Sequence, residues 1–353
     1  MARGGMTPEE RWLAVLSGNI PDRVPTDYWG TPEATQKLMA HLSCSEWRDL
    51  AVRLHIDRPI SVEPRYVGPP IGPGRDMYGC RYVEVDYGLG VYAECVYNPL
   101  AGFHTVEEVE EHYTWPSVDW FDYSVVPGQI EGWEEYPVRG GGSEPFYMYA
   151  HLRGQERAYM DLIHNPELVH YCLGKLFDFS YENTRRIYEQ IPGKVTFSYV
   201  AEDLGSQENL LFSPDVIREF MLPGMKRMIG LAHEAGAYAF CHSDGAIRKI
   251  IPDLINIGVD ILNPIQWRCK GMDREELKRD FGKDLVFHGG MDNQQTLAFG
   301  DVEDVQHEVM FNIQVLGEGG GYILAPCHNI QAVSPVENIV ALYETAYQCG
   351  SYQ

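Results

Sequence analysis

The sequence lacks any apolar run long enough to cross a membrane. A membrane-spanning helix needs roughly 20 predominantly apolar residues in a row, and no stretch of this 353-residue chain comes near that length. No apolar leader follows Met1, so the usual mark of secretion is also missing. Apolar residues still make up 44% of the chain, which is enough for a full core. We therefore expect a soluble, cytoplasmic protein with no membrane partner.

Basic residues are also scarce. The chain has 28 Lys and Arg against 51 Asp and Glu, which gives a formal net charge of −23. Proteins that bind nucleic acid need a basic footprint for the phosphates, and an anionic membrane surface makes the same demand. We therefore expect no nucleic-acid partner, and a ligand or partner that tolerates an acidic rim.

The eight cysteines are scattered and include no C-x-x-C pair. A chain of this size can build a core without a disulfide framework, so reduced thiols are the expectation. A buried cysteine usually acts as a small apolar residue. A chemical role for any of them therefore requires polar, metal-binding neighbours.

The stretch 237–263, AYAFCHSDGAIRKIIPDLINIGVDILN, has the pattern strand, polar loop, helix, strand. His242, Ser243 and Asp244 follow the first apolar run at once, and isoleucines then recur at helical spacing. Parallel α/β folds bind ligands where the strands end and the loops begin. This unit therefore predicts the position of a functional site.

The same alternation of strands and helices extends along the chain. Eight strand candidates, most of them separated by helical patterns, are typical of an α/β protein with a (β/α)8 TIM barrel. They cover residues 24–28, 60–62, 146–150, 195–200, 237–241, 259–262, 284–287 and 321–324. The residues at their ends, which such a barrel gathers at one mouth, are Tyr28, Glu63, His151, Glu202, His242, Asn263, His288 and Cys327.

Capping residues mark several helix boundaries. Thr7 and Glu10 form a capping box around Pro8, and Ser213 precedes Pro214 at the start of another helix. Further helical patterns cover residues 165–190, 302–316 and 335–347.

The composition changes between about residue 66 and residue 138. Two β-like runs, CRYVEVDY and VYAECVY, are joined by Gly88-Leu89-Gly90 and predict a β-hairpin inserted after the second strand. The stretch 113–138 is rich in Trp, Asp, Tyr and Pro and predicts irregular connecting structure. We therefore expect residues 1–353 to form a single barrel domain, with one insertion near its N-terminal third.

Four motifs resemble the uroporphyrinogen decarboxylase superfamily, which includes the decarboxylase itself and corrinoid-linked methyltransferases. They are AEDLGSQENLLFSP (201–214), FCHSDGAI (240–247), FHGGMDNQQTLAFG (287–300) and GGGYILAPCHNIQAVSPVENI (319–339). The decarboxylase also has an arginine-rich N-terminal motif that holds the carboxylates of its substrate. The matching segment here, PDRVPTDYWGTPEATQKL, offers Arg23 alone. The methyltransferase branch is therefore the closer resemblance.

The resemblance implies a zinc site, because the methyltransferase branch binds zinc through an H-x-C motif and a later cysteine. His242 matches the histidine and Cys327 matches the later cysteine, but Asp244 stands in place of the first cysteine. Histidine, cysteine and aspartate are all ordinary zinc ligands. Glu202 is expected to add a carboxylate, in preference to its neighbour Asp203.

Each of these residues also has a structural interpretation. His242 could be a hydrogen-bonded histidine of the mouth, Cys327 a buried inert thiol, and Asp244 a helix cap. Glu202, Asp244 and His288 are the candidate catalytic groups. The candidate substrate-binding residues are Tyr28, His151, Tyr199 and Asn263.

The resemblance implies a zinc-dependent methyltransferase that passes a methyl group from a small donor to cobalt. No D-x-H-x-x-G motif is present to bind the cobalt, so the corrinoid is expected on a partner protein. Asp244 makes the zinc site harder than a cysteine would, which favours an oxygen leaving group. The expected donor is therefore a small O-methyl compound such as a methoxylated aromatic, with an N-methyl donor as the other choice.

Three other functions stay open at this point. The chain could methylate a thiol from methylcobalamin, or decarboxylate uroporphyrinogen without a metal. It could also bind a small molecule without catalysis, since fold does not fix function. A monomer and a homodimer are both compatible with the sequence.

Overall fold

The parallel strands form one curled sheet. This computed structural model describes residues 5–88 and 90–352, so Leu89 of the predicted hairpin turn lies outside the described residues. Seven strands of the described chain pair in parallel. In spatial order they are β1 (Ile60–Val62), β6 (Val138–Ser143), β7 (Phe197–Val200), β8 (Tyr238–His242), β9 (Ile261–Asn263), β10 (Val286–Met291) and β11 (Tyr322–Pro326). The predicted α/β barrel class is confirmed.

The predicted first strand, residues 24–28, is a single parallel bridge instead of a regular strand. Thr26 bridges Leu324 of β11, and the amide of Asp27 donates to the Leu324 carbonyl over 2.9 Å. On the opposite side, the amide of Asp57 donates to the Thr26 carbonyl over 2.8 Å, just before β1 begins. The segment therefore lies between the two edges of the curled sheet and connects them.

Helices separate the strands along the described chain. They are α1 (Pro8–Leu16), α2 (Pro32–Leu42), α3 (Trp47–Arg53), α4 (Val106–His112), α5 (Val126–Gln129), α6 (Pro145–Arg153), α7 (Gln155–His164), α8 (Pro166–Gln190), α9 (Pro214–Phe220), α10 (Leu222–Glu234), α11 (Ile251–Ile257), α12 (Arg274–Phe281), α13 (Thr296–Phe299), α14 (Val302–Val315) and α15 (Val336–Cys349). None of these described helices combines the length and the apolar character that crossing a membrane requires.

The predicted helix caps are present. The Thr7 hydroxyl accepts from the amide of Glu10, and the Glu10 carboxylate accepts from the amide of Thr7. Ser213 caps α9 in the same way, through the amide of Val216. These bonds satisfy amides that the first helical turn leaves without partners.

Helix α1 closes the end of the barrel at which the strands begin. Trp12 is fully buried and stacks on Phe197, the first residue of β7, with ring centroids 5.4 Å apart. The same apolar cluster includes Phe240, Ile261 and Ile323 from three other strands. The core inside the barrel is therefore sealed at this end, and the functional residues lie at the other.

The predicted hairpin is confirmed as β3 (Arg81–Asp86) and β4 (Val91–Tyr97), which pair antiparallel. Before and after it, β2 (Arg65–Tyr66) pairs with β5 (Phe121–Asp122). Between residues 113 and 138, two single-turn 3-10 helices (Val118–Trp120 and Tyr123–Val125), β5 and α5 alternate with irregular segments, as predicted for connecting structure.

The predicted strand over residues 146–150 is wrong. This segment belongs to α6, in which Pro145 occupies the first turn and Phe146, Tyr149 and Leu152 are buried at helical spacing. The strand at this place in the barrel is β6, whose sequence VRGGGS has little β propensity. Gly142 has a φ of +131°, and a Cβ there would lie 2.1 Å from the Tyr199 carbonyl oxygen. Close packing against β7 explains a glycine that local sequence patterns do not reveal.

Candidate active site

His242 is the last residue of β8 and lies at the centre of the barrel mouth. Its Nε2 atom is 3.9 Å from a carboxylate oxygen of Asp203 and 3.9 Å from one of Asp244. In the described part of the chain, these three residues form a group whose candidate ligand atoms all lie within 4.8 Å of one another. His242 is buried, whereas 48% of the Asp203 side chain is exposed. The group therefore opens towards solvent on the Asp203 side.

Two glycines allow the loops that carry the carboxylates to lie against each other. A Cβ on Gly205 would be 2.6 Å from the Asp244 carbonyl oxygen, and a Cβ on Gly245 would be 2.6 Å from the backbone of Gly205. The amide of Asp244 donates to Asp203 over 3.2 Å, which fixes the two carboxylates relative to each other. The proximity of Asp203 and Asp244 therefore follows from the backbone conformation of their two loops.

A hydrogen bond on the far side of the ring orients His242. Its Nδ1 lies 2.6 Å from the amide oxygen of Asn263, so Nδ1 carries the proton. The lone pair is then on Nε2, the atom that faces Asp203 and Asp244. Metal-binding histidines almost always donate their other ring proton in this way.

The chain of hydrogen bonds continues into the protein. The Asn263 amide donates to His288 Nδ1 over 2.7 Å, and His288 Nε2 donates to Asp27 over 3.0 Å. The indole of Trp29 donates to the same Asp27 oxygen over 2.8 Å. Burial alone would raise the pKa of Asp27, but the bonds from His288 and Trp29 and the charge of Arg58 make it lower than usual. Asp27 is therefore an ionised anchor for the orientation of His242.

The donor set of the cluster fits a metal cation. One oxygen of Asp244 is buried and has no hydrogen-bond partner among the described residues, although such atoms are normally satisfied. Burial, supported by the charge of Asp203 and opposed by that of His242, raises the pKa of Asp244. The 3.9 Å separations exceed a hydrogen bond. Two atoms that share one zinc ion at about 2.1 Å each lie roughly 3–4 Å apart. A nitrogen and two carboxylates therefore suit zinc or a harder divalent ion.

Two of the predicted metal ligands lie outside this cluster. The Cys327 thiol is buried and donates to the Ile265 carbonyl over 3.2 Å, and burial raises its pKa well above the usual value. The Glu202 carboxylate is buried and accepts from the amide of Phe146 over 2.8 Å, and burial raises its pKa also. Asp203, and not Glu202, is the carboxylate that lies beside His242. Ligation by Cys327 or Glu202 stays a prediction.

Aromatic side chains surround His242 and line the adjoining cavity of about 350 Å³. The rings of Trp29 and Tyr199 lie 5.8 and 5.7 Å from the His242 ring, and Phe240 packs against both. Of the predicted substrate contacts, Tyr199 faces this cavity and Asn263 lies behind His242.

The other two predicted substrate contacts lie elsewhere. Tyr28 is fully buried between Trp47 and Tyr343, with its hydroxyl bonded to Thr35. His151 lies in the last turn of α6, where Nδ1 is 2.9 Å from the Tyr147 carbonyl oxygen, so it does not follow a strand. Its expected place at the mouth depended on the wrong strand assignment.

Four charged residues that the sequence interpretation missed line the cavity: Asp27, Arg58, Arg139 and Glu144. Arg139 is the second residue of β6, and Glu144 follows the end of that strand. Burial raises the pKa of Glu144 to about 7, the Asp203 and Asp244 carboxylates add to the rise, and Arg139 opposes it. A correct assignment of β6 would have identified Glu144 as a residue of the mouth.

The chain belongs to the uroporphyrinogen decarboxylase (URO-D) family. The model of that family matches residues 130–349, which is more than half of the chain. The matched region contains every strand of the sheet except β1 and includes the whole metal-binding candidate cluster.

Two relatives carry methyltransferase names. The methylcobamide:CoM methyltransferase MtaA of Methanosarcina barkeri is 27% identical over 143 residues, which are 40% of this chain and 39% of that protein. The similarity thus spans about two fifths of the length of the curated relative. A solved structure, a methyltransferase from Methanosarcina mazei, covers 97% of this chain and is itself covered to 99%, with a TM-score of 0.67 and 19% identity. That likeness shows a shared fold.

Proposed function

We propose that the chain is a metal-dependent methyltransferase. It would take a methyl group from a small methoxylated donor and pass it to the corrinoid cobalt of a partner protein. The observation that carries this proposal is the Asp203–His242–Asp244 cluster, with its unpartnered Asp244 oxygen beside an aromatic cavity. The Methanosarcina barkeri relative, which is named as a methyltransferase, supports methyl transfer, and membership of the URO-D family is compatible with it.

Asp203, His242 and Asp244 would hold the metal, which we propose to be zinc. Bound there, it would supply a Lewis acid that stabilises negative charge on the leaving oxygen. Three protein ligands with an open position are typical of catalytic zinc sites. Cys327 and Glu202 remain candidates for further ligation.

The residues of this chain would then position the donor and manage its protons. Tyr199, Trp29 and Phe240 offer aromatic faces that a methoxylated ring can stack on. The corrinoid of the partner protein would supply the electron pair that accepts the methyl carbon from the ether oxygen. The oxygen departs with the electrons of the broken bond and takes up a proton. Glu144, with a pKa of about 7, is suited to donate that proton near neutral pH.

A second function is favoured by one specific observation. The relative from Methanosarcina barkeri is named for transfer from a methylcobamide to the thiol CoM, which is the reverse direction with respect to cobalt. A harder set of one nitrogen and two carboxylates favours an oxygen ligand over a thiol. The discriminating assay offers the enzyme either a methoxylated aromatic with cob(I)alamin or a thiol with methylcobalamin, and follows the cobalamin spectrum.

The decarboxylase alternative has less support from the geometry. Arg23, which aligns with the arginine-rich motif, is buried and paired with Asp57 at 2.8 and 3.0 Å. It is therefore not available to hold the carboxylates of a porphyrinogen.

The test of the proposal is the metal content of protein purified without chelators. We expect about one zinc per chain in the wild type, and loss of that zinc in His242→Ala, Asp203→Asn and Asp244→Asn, because each removes a ligand. Cys327→Ala decides whether the cysteine joins the set. Mass spectrometry of the metals gives the stoichiometry.

His164→Ala is the matched control, because His164 is exposed at the end of α7. It should keep the full metal content. If the wild type held no stoichiometric metal after zinc had been supplied, or if His242→Ala kept it, the metal mechanism would be wrong.

A further inference from the structure

Arg139 is a cation without a partner in the cavity beside His242. It is half-buried, and among the described residues none forms a hydrogen bond or an ion pair with its guanidinium group. The guanidinium carbon of Arg139 lies over the face of the Tyr199 ring, 4.2 Å from the ring centroid. Burial lowers the pKa of Arg139, which means that the surroundings disfavour its charge. A buried charge without a partner is costly unless something else compensates it.

The carboxylates nearest to Arg139 do not provide this compensation. Glu63, Asp27 and Glu144 contribute to its electrostatic environment, but none is within ion-pair distance. Asp27 is already bonded to His288 and Trp29. The chain carries 51 acidic residues against 28 basic ones. An arginine left unpaired in so acidic a chain therefore indicates that the space beside it accommodates an anionic ligand.

The cavity beside Arg139 is lined by Trp29 and Tyr199, the two rings that pack against His242. Arg139 and Tyr199 line the 350 Å³ cavity and an adjoining one of about 440 Å³. Arg58 adds a second cation to the first of these cavities, and no described residue forms an ion pair with it either. The Tyr199 ring contacts Arg139 on one side and lies 5.7 Å from the His242 ring on another. One aromatic side chain thus bridges the distance between the cation and the metal cluster.

We infer that Arg139 binds the carboxylate of the methyl donor, which makes the donor a methoxylated aromatic acid. An arginine fork matches a planar carboxylate with two parallel hydrogen bonds. The Tyr199 ring lies 4.2 Å from the Arg139 guanidinium carbon and 5.7 Å from the His242 ring, centroid to centroid, so a donor with a single ring is long enough to extend from Arg139 towards His242. Two nearby cations surrounded by several carboxylates favour a monoanion over a phosphate dianion. That the ligand is a methyl donor rests on the proposed function, whereas the inference that it carries a carboxylate rests on Arg139 and its surroundings.

Calorimetric titration of the purified full chain tests this inference without any corrinoid. The probes are 4-methoxybenzoate, benzoate and the neutral 4-methoxybenzamide. We expect the wild type to bind the two carboxylates at least tenfold more tightly than the amide. Arg139→Met should weaken carboxylate binding at least tenfold and change amide binding less than threefold. Arg139→Lys keeps the positive charge but loses the two parallel donors of the guanidinium group. Its affinity for the carboxylates should lie between those of the wild type and Arg139→Met.

Two controls separate binding from folding. Arg53→Met removes an exposed arginine at the end of α3 and should leave all three affinities unchanged. Arg139→Met should melt no lower than the wild type, because it removes a half-buried cation that has no ion-pair partner and keeps the side-chain volume. A melting temperature that fell with affinity for all probes would indicate a structural role and overturn the inference.

The remaining outcomes distinguish this inference from the proposed function. Equal binding of carboxylate and amide to the wild type, or no carboxylate binding at millimolar concentration, overturns the inference and leaves metal-dependent methyl transfer untouched. Carboxylate binding that depends on Arg139, and that persists in His242→Ala, supports the inference even if no methyl group is transferred.

Discussion

At the scale of single residues, neighbours in sequence have different roles at the mouth. Glu202 turns into the protein, whereas Asp203 faces His242. Tyr28 is part of the core, whereas Asp27 and Trp29 contribute to the site. Side chains of extended segments alternate between two faces, so a shift of one residue exchanges a ligand for a core residue. Such a one-residue shift decides whether Glu202 or Asp203 faces His242, and the sequence alone does not determine it.

Glu144 should make the stability of the protein depend on pH. Its pKa of about 7 exceeds the ordinary value of 4.5, so the fold disfavours the ionised form. The resulting destabilisation is fully present above pH 7 and disappears as the pH falls towards 4.5. In chelator-treated protein, Glu144→Gln should therefore be more stable than the wild type at pH 8, by about 1–3 kcal/mol. The difference should vanish by about pH 4.5.

Urea denaturation at several pH values measures this difference. Glu84→Gln, an exposed substitution on β3, removes the same charge and should show no such pH-dependent gain. A constant difference between Glu144→Gln and the wild type from pH 5 to pH 8 would contradict the argument.

At the scale of elements, one ion cluster holds the closing segment of the barrel. Asp57 is 1% exposed and accepts from Arg11 over 2.6 Å and from Arg23 over 2.8 and 3.0 Å. It also accepts from the amide of Thr26 in the segment that joins β11 to β1. Asp27, the anchor of the hydrogen-bond chain to His242, follows directly. The position of His242, the candidate metal ligand, thus depends on contacts made by residues near the start of the chain.

Asp57→Asn should strongly destabilise the protein. It leaves the buried Arg23 without a carboxylate and removes one of the two carboxylates that pair with the buried Arg11, the other being Asp22. Such a loss costs about 3–5 kcal/mol. Asp122→Asn breaks the exposed pair of Asp122 with Arg65 and is the matched control. That substitution should cost less than about 1 kcal/mol. Chemical denaturation compares the two, and similar losses would show that the buried cluster has no special role.

At the scale of the whole molecule, the net charge of −23 acts against the compact state. Salt screens this repulsion, with a Debye length of about 10 Å at 0.1 M. The organisation of residues 1–353 as one domain and the oligomeric state remain predictions.

Added salt should therefore raise the melting temperature of chelator-treated protein. We expect an increase of a few degrees between about 20 and 200 mM NaCl, because self-repulsion weakens as the Debye length shortens. Replacing the exposed Glu84, Glu110 and Glu303 by glutamine should reduce the dependence on salt. A melting temperature that falls with salt would mean that attractive ion pairs outweigh the net repulsion.

The sequence by itself determined the barrel class, the inserted hairpin, the helix caps and the place of His242 at the end of a strand. Each of these depends on local information: apolar periodicity, turn residues, capping residues and a short motif. Only the tertiary structure decided that β6 is a strand, because Gly142 is required by the close approach of β7 and Gly141 by that of Thr184 in α8. Only the tertiary structure placed Arg139 and Glu144 in one cavity and Asp203 beside His242, because these residues come from separate strands and loops. Local patterns specify elements, but which side chains face one another follows from the register and twist of the packed strands.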